Sequence, residues 1–260
     1  MAPLLIDTAD DPRLADYLGL KGRAERADLF IAESEAVVAR LVTSTFVVRS
    51  FLLTPHRYER LKSLVDPVAA PVYLAPAEVM RAVAGFDVHR GVLASVERRP
   101  GPALEEVLSS ARRLLVLEGS NDHENIGAVA RSAWALGFDA MVLDPTCADP
   151  FARRAVRVSM GALLHLPVVR CTSWPDPLDL ILAAGFDTWA LTPLAEARSL
   201  FTVPVADRVA LIAGAEGPGL SSVALARVRH QVRIPMHHDV DSLNLGHALA
   251  IAMAVVSTPK

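Results

Sequence analysis

From residue 113 to the end of the chain, short apolar runs alternate with segments of helical spacing. RLLVLEGS reads as a buried strand, a helix follows from about Ile126 to Leu136, and FDAMVLDP reads as a second strand closed by Asp-Pro. The alternation continues through LLHLPVVR, PLDLILAAGF, DTWALTP, RVALIAGAEG and QVRIPM. Strands that are apolar on both faces are buried between layers of helices, so this half of the chain predicts an α/β fold with a largely parallel sheet. In such sheets ligands meet the C-terminal ends of the strands, where loops lead into helix N-termini.

The first hundred residues alternate on a smaller scale. FIAESEAVVARLVTS has helical spacing, SFLLTP reads as a strand stopped by proline, RYERLKSLV as a helix, PVYLAP as a strand, PAEVMRAVAGF as a helix and GVLASVE as a strand. ERRPGPALEEVL combines charge, two prolines and a glycine, as a linker or crossing segment does, and sets a boundary near residue 100. A 260-residue chain that is 52% apolar has material for two buried cores. No run approaches the roughly 20 apolar residues of a membrane span, and MAPLLIDTADDPRLADYL carries acids where a secretion signal would be basic, so a cytoplasmic location is expected. Cys147 and Cys171 are too few for a disulfide framework or a zinc cluster and read as small core residues.

Net charge is −3, with 13 basic and 13 acidic residues in positions 1–100 and 13 against 16 in the rest. Any nucleic-acid face must therefore be local, and its candidate cations are arginines, whose planar fork suits phosphate and base stacking.

Three strand ends carry unusual residues. In ENIGAVARSAWALGF, Asn125 can cap a helix on which Gly127, Arg131 and Trp134 follow at helical spacing. Arg131 stands among small apolar residues, either on a solvated face or aimed into a cleft. In LIAGAEGPGLSS an apolar strand runs into Gly214, Glu216, Gly217, Pro218 and Gly219, with Ser221 as a helix cap. The spacing matches neither a dinucleotide fingerprint nor a P-loop. Glu216 would also repel phosphate, so the loop suits a cationic or hydroxyl-bearing ligand, or is a plain turn with a solvent-facing acid. In IPMHHDVDSLNLGHALAIAMA, Ser242 and Asn244 precede an apolar helix from about Gly246 to Val256. A cap accounts for one of the two polar residues. The helix is apolar nearly all round, which calls for burial in a core or against a second subunit.

Taken together, NIGAVARSA, GAEGPGL and IPM followed by SLN resemble the three motifs of the SpoU (TrmH-like) class of the SPOUT superfamily, S-adenosylmethionine-dependent RNA ribose 2′-O-methyltransferases. FIAESEAVV, LLTP and HRGVLA are similar to that family's small L30e-like α/β substrate-binding domain. The family commonly has Gly where Ser34 stands, Gln where Arg90 stands and Ser where Gly246 stands. The resemblance implies an RNA-binding domain over 1–100 and a methyltransferase domain over 101–260 with a deep trefoil knot, an exception to the rule that chains do not thread loops. It implies a cofactor site from Thr192, Ala213, Gly214, Glu216, Gly217, Ile234, Met236, Ser242, Leu243 and Asn244, with Leu243 against the adenine. It assigns catalysis to Arg131, Asn125, Glu216, Ser242 and Asn244. It also implies a homodimer that brings Arg131 near the partner's site, and a tRNA or rRNA substrate. Arg153, Arg154 and Arg157 in FARRAVRVSMG are expected to touch RNA phosphate; read alone, they could equally be a solvated helix face.

A guanidinium with a pKa above about 12 is a poor proton acceptor, so Arg131 is expected to orient the hydroxyl and stabilise developing negative charge. His237 and His238 lack the carboxylate and histidine spacing of a zinc site, and no metal is expected. Ser242, His247 and Asp241 lack the GxSxG elbow of a hydrolase. The alternatives left are a base methyltransferase sharing the knot, against which NIG, Arg131 and SLN argue, and an RNA-binding assembly protein without turnover.

Overall fold

The computed structural model describes residues 2–22, 25–88, 91–238 and 240–257; Arg90 lies outside them. The chain divides into two units, Met1–Pro100 with Phe151–His165, and Gly101–Pro150 with Leu166–Lys260. The break at Pro100 is close to where charge and proline cluster. The return of 151–165 to the first unit differs from the sequence reading, which kept Arg153, Arg154 and Arg157 with the second domain.

In the first unit the strands are β1 (Leu4–Leu5), β2 (Leu29–Glu33), β3 (Val48–Leu53), β4 (Val72–Leu74) and β5 (Val92–Glu97). Helices α1 (Glu35–Leu41), α2 (Pro55–Val65) and α3 (Ala77–Ala84) connect them. The sheet order is β1-β4-β3-β5-β2, with β5 antiparallel to both neighbours. FIAE is therefore an edge strand rather than the first turn of a helix: its residues are buried throughout, Phe30 and Ala32 in one core and Leu29 and Ile31 in the other. A strand with both faces covered loses the alternation that would have marked it.

The turn from β2 into α1 passes through Ser34, which has φ +94° and is buried. Its N–H donates to Val92 O (3.2 Å) and its carbonyl accepts from Val38 N–H (3.0 Å), which holds it there, while its side chain makes no cap hydrogen bond. This backbone region favours glycine, and occupying it with a side chain costs on the order of 1–3 kcal/mol. Ser34→Gly is expected to raise stability by about 1 kcal/mol after the added freedom of the unfolded chain is allowed for, measured as a higher urea midpoint at unchanged slope.

The second unit opens with α4 (Leu104–Ser110), a helix where a linker was expected. It continues with β6 (Arg113–Leu117), α5 (His123–Ala135) and β7 (Ala140–Leu143). After α6 (Arg153–Val158) in the first unit come β8 (Val168–Arg170), α7 (Asp176–Ala183), β9 (Asp187–Leu191), β10 (Arg198–Ser199), β11 (Val209–Ala213), α8 (Ser222–Leu225), β12 (His230–Arg233) and α9 (Leu245–Ser257). All seven strands run parallel in the order β10-β12-β9-β11-β6-β7-β8. Of LLHLPVVR only Val168–Arg170 is strand, and its first two leucines belong to a turn of 3-10 helix, Ala162–Leu164.

Helix α9 packs along α5, with Ser257 Oγ donating to Leu136 O at 2.7 Å. Its buried side is Leu245, Leu249, Ala252, Met253 and Val256, whereas Ala250, Ile251 and Val255 are only half-buried. Among the described residues no helix is long and apolar enough to cross a membrane.

Candidate active site

Because β9, β11 and β12 are parallel neighbours, their C-terminal ends release three loops on one side of the sheet. Those loops and the start of α9 enclose a cavity of about 540 Å³, within the range of small-molecule sites. Its walls are Leu191–Pro193 after β9, Ala213–Gly217 and Gly219 after β11, Ile234 and Met236 after β12, and Asp241–Leu245 with Ala248 at α9.

The loop after β11 folds back on itself, with Gly219 N–H donating to Ala215 O at 3.0 Å and Gly219 at φ +71°. This brings Gly219 across Gly214 so closely that a Cβ on Gly214 would lie 2.1 Å from the carbonyl carbon and oxygen of Gly219. Only hydrogen fits there. The far end of the loop is held by Glu118, just past β6. One carboxylate oxygen accepts from Ser221 N–H (2.8 Å) and the other from Trp174 Nε1 (2.6 Å). Ser221 in turn caps α8 by accepting from Ala224 N–H.

The loop after β6 is fixed from a second side. Asp144, buried at the end of β7, accepts from the backbone N–H groups of Gly119, Thr146 and Cys147 and from Thr146 Oγ1. Burial pushes its carboxyl up, but the hydrogen bonds from Cys147, Gly119 and Thr146 outweigh that and leave it below the usual carboxylate range. Burial, and the neighbouring Asp144, push the Cys147 thiol up to about 12. Burial also takes Cys171 up to about 11. Both cysteines are buried thiols, in keeping with the reading of them as small core residues.

Asn244 is the N-cap of α9: its Oδ1 accepts from Gly246 N–H (3.0 Å) and His247 N–H (3.3 Å), and its carbonyl accepts from Ala248 N–H. Its Nδ2 donates to Glu216 Oε1 (2.8 Å) and to Asn125 Oδ1 (3.4 Å), and the same Glu216 oxygen accepts from Leu245 N–H (3.2 Å). A carboxylate at a helix N-terminus is favourably placed against the macrodipole. One asparagine thus ties together the three loops that the sequence singled out. Asn244→Ala removes the cap and two of the links, and is expected to cost about 1–2 kcal/mol in chemical denaturation. Asn125, expected as a cap, sits inside the first turn of α5, whose N-cap is Asp122 accepting from Glu124 N–H.

All ten residues expected to hold a cofactor line the cavity: Thr192, Ala213, Gly214, Glu216, Gly217, Ile234, Met236, Ser242, Leu243 and Asn244. Ser242 is exposed at its wall and is not the cap. Arg131 is exposed on α5 and does not line the cavity. Arg153, Arg154 and Arg157 lie in the first unit. Sequence reasoning missed Glu118, Trp174 and Asp144. LEGS and VLDP, each ending a strand in an acid, carried the signal for the two carboxylates.

Residues 112–254 match the family model described as the SpoU rRNA Methylase family. The chain belongs to the SpoU rRNA methylase family. This SpoU protein is 44% identical, over 94% of its length and 88% of the relative's, to an uncharacterized tRNA/rRNA methyltransferase of Mycobacterium bovis. It is 28% identical, over 95% of its length and 96% of the relative's, to the 23S rRNA (guanosine(2553)-2′-O)-methyltransferase RlmP of Bacillus subtilis. Among solved structures, the AdoMet-bound rRNA methyltransferase of Sinorhizobium meliloti superposes with a TM-score of 0.84 at 24% identity, covering 97% of this SpoU protein and 96% of that chain. The SpoU methyltransferase AviRb of Streptomyces viridochromogenes, in complex with AdoMet, gives 0.80 at 22%, covering 95% and 97%. At these identities the likeness is one of fold.

Proposed function

We propose that the protein transfers the methyl group of S-adenosylmethionine to a ribose 2′-hydroxyl of tRNA or rRNA. The observation that carries this reading is the cavity at the strand ends, in which a glycine loop, a carboxylate and the SLN triplet meet in a member of the SpoU family. The donor set suits the cofactor: backbone groups near Ala213, Gly214, Ile234 and Met236 offer polar edges to its adenosine, and Leu243 offers an apolar face. Thr192 and Gly217 complete the walls, and Glu216 supplies the negative charge that a sulfonium favours. When bound, the cofactor supplies an activated methyl group.

The chain's task is to hold the ribose oxygen in line and to exclude competing water, and positioning of that kind supplies several kcal/mol of a barrier. Arg131 orients the hydroxyl and stabilises charge as it develops. Asn125 and Asn244 keep α5 and α9 in register, and Ser242, at the cavity wall, is read as meeting the substrate.

Because Arg131 lies outside the cavity of its own chain, we read the working form as a homodimer in which it serves a second subunit. The half-buried Ile251 and Val255 of α9 and the exposed Trp134 of α5 support that reading. The first unit is read as an L30e-like RNA-binding domain, the loops after β6, β11 and β12 as the trefoil knot of the SPOUT fold, and the cytoplasm as the location.

The test is transfer of labelled methyl from S-adenosylmethionine to RNA from cells lacking the protein, followed by nucleoside analysis. Label in a 2′-O-methyl nucleoside is expected. Label in a methylated base, or none in either tRNA or rRNA, overturns the reading.

A further inference from the structure

The return of Phe151–His165 to the first unit changes its charge. The segment brings Arg153, Arg154 and Arg157 and no acid, so a set of 13 basic and 13 acidic residues becomes formally +3 while the second unit is left with 10 against 16. A chain of net charge −3 therefore contains a basic unit and an acidic one.

The excess is organised around the strained residue. Ser34 separates Glu33, at the end of β2, from Glu35, which opens α1, and each carboxylate gathers two guanidiniums. Arg57 of α2 pairs with one oxygen of Glu35 at 2.6 Å and Arg60, one turn further, lies 3.5 Å from the other. On α6, Arg153 pairs with Glu33 and Arg157, one turn further, lies 3.8 Å from its second oxygen.

In each set the first arginine answers the need of a poorly hydrated acid. Arg57 is about as covered as Glu35, and Arg153 is also stacked 4.2 Å above the ring of Phe86. The second is surplus to that need: the side chains of Arg60 and Arg157 are 57% and 47% exposed, with long contacts. A guanidinium has five donors, so exposed and loosely held arginines of this kind keep donors that the carboxylate steers but does not take up.

We propose that Arg60 and Arg157 grip phosphates of the substrate RNA, with Glu33 and Glu35 as positioning residues that preset them. The proposal rests on the reading of the protein as an RNA methyltransferase. Phosphate matches the guanidinium fork in shape and charge, and a strand presents it repeatedly.

The experiment compares the full-length protein with Arg60→Ala/Arg157→Ala and Arg60→Lys/Arg157→Lys, using RNA that the wild type methylates, from 0.05 to about 0.3 M salt. The alanine pair is expected to raise the RNA KM on the order of ten-fold at about 0.1 M salt and to flatten the slope of log affinity against log salt by nearly two. Its kcat at saturating RNA and its S-adenosylmethionine affinity should match wild type. The lysine pair, which keeps charge but loses the fork, should recover the slope and only part of the affinity.

If the alanine pair keeps the wild-type slope and KM, the proposal fails, and an acidic protein partner becomes the better occupant. A fall in kcat at saturating RNA, or equal loss in both pairs together with a lowered melting temperature, also overturns it in favour of a structural role. Wild type that methylates no RNA would instead remove the functional reading beneath it.

Discussion

Gly214→Ala is expected to abolish S-adenosylmethionine binding and to destabilise the second unit by about 3 kcal/mol, the upper end of what overpacking costs. The methyl carbon would fall 2.1 Å from the Gly219 carbonyl and 2.3 Å from Leu220 N. These are backbone atoms and cannot rotate away. Relief requires opening the Ala215–Gly219 bridge, which moves Glu216 away from Asn244 and the α9 N-terminus. Calorimetric titration with S-adenosylmethionine and a urea melt measure the two parts. An alanine variant that bound the cofactor within a factor of three of wild type would show that the loop is not a wall of the cofactor site.

Arg131→Ala is expected to slow single-turnover methyl transfer by 10²- to 10³-fold, as loss of one group that stabilises developing negative charge does. Cofactor affinity should stay unchanged, because the role read for Arg131 is toward the substrate hydroxyl and its side chain does not line the cavity of its own chain. Arg131→Lys separates charge from geometry. Equal loss in both variants shows that the planar fork is needed, whereas substantial recovery in lysine shows that a cation suffices. A loss under ten-fold in the alanine variant would take Arg131 out of the reaction.

Much of the second unit was legible because a parallel sheet writes its strands as apolar runs and its site at their ends. The glycines after β11 were visible as a motif, but their reason was not: the clash at Gly214 involves a residue that only the fold-back of the loop brings near. Asn244 and Ser242 were indistinguishable as caps, since either residue type suits that position. The choice depends on where α9 meets Glu216.

LEGS marks Glu118 as an acid at a strand end, but what it holds could not be read from its neighbours, because its partner Ser221 lies 103 residues further on. The hardest feature was the membership of α6. Helical spacing says that Val156 faces a core, and nothing local says which one. The ring of Phe151 meets Phe30 at 5.1 Å and Phe46 at 5.4 Å, and that contact places the segment.

That same contact sets an order of events during synthesis. The first unit lacks a wall of its core until the ribosome has made residue 165, 68 residues after the last strand of its sheet is complete at Glu97. At roughly 5–20 residues per second the nascent chain spends several seconds with the edge strand β2 and Phe30 uncovered. An uncovered edge is where strands of different chains pair, so this interval is when the protein is most open to chaperones and to misassembly. A fragment ending at residue 100 would remain in that state indefinitely.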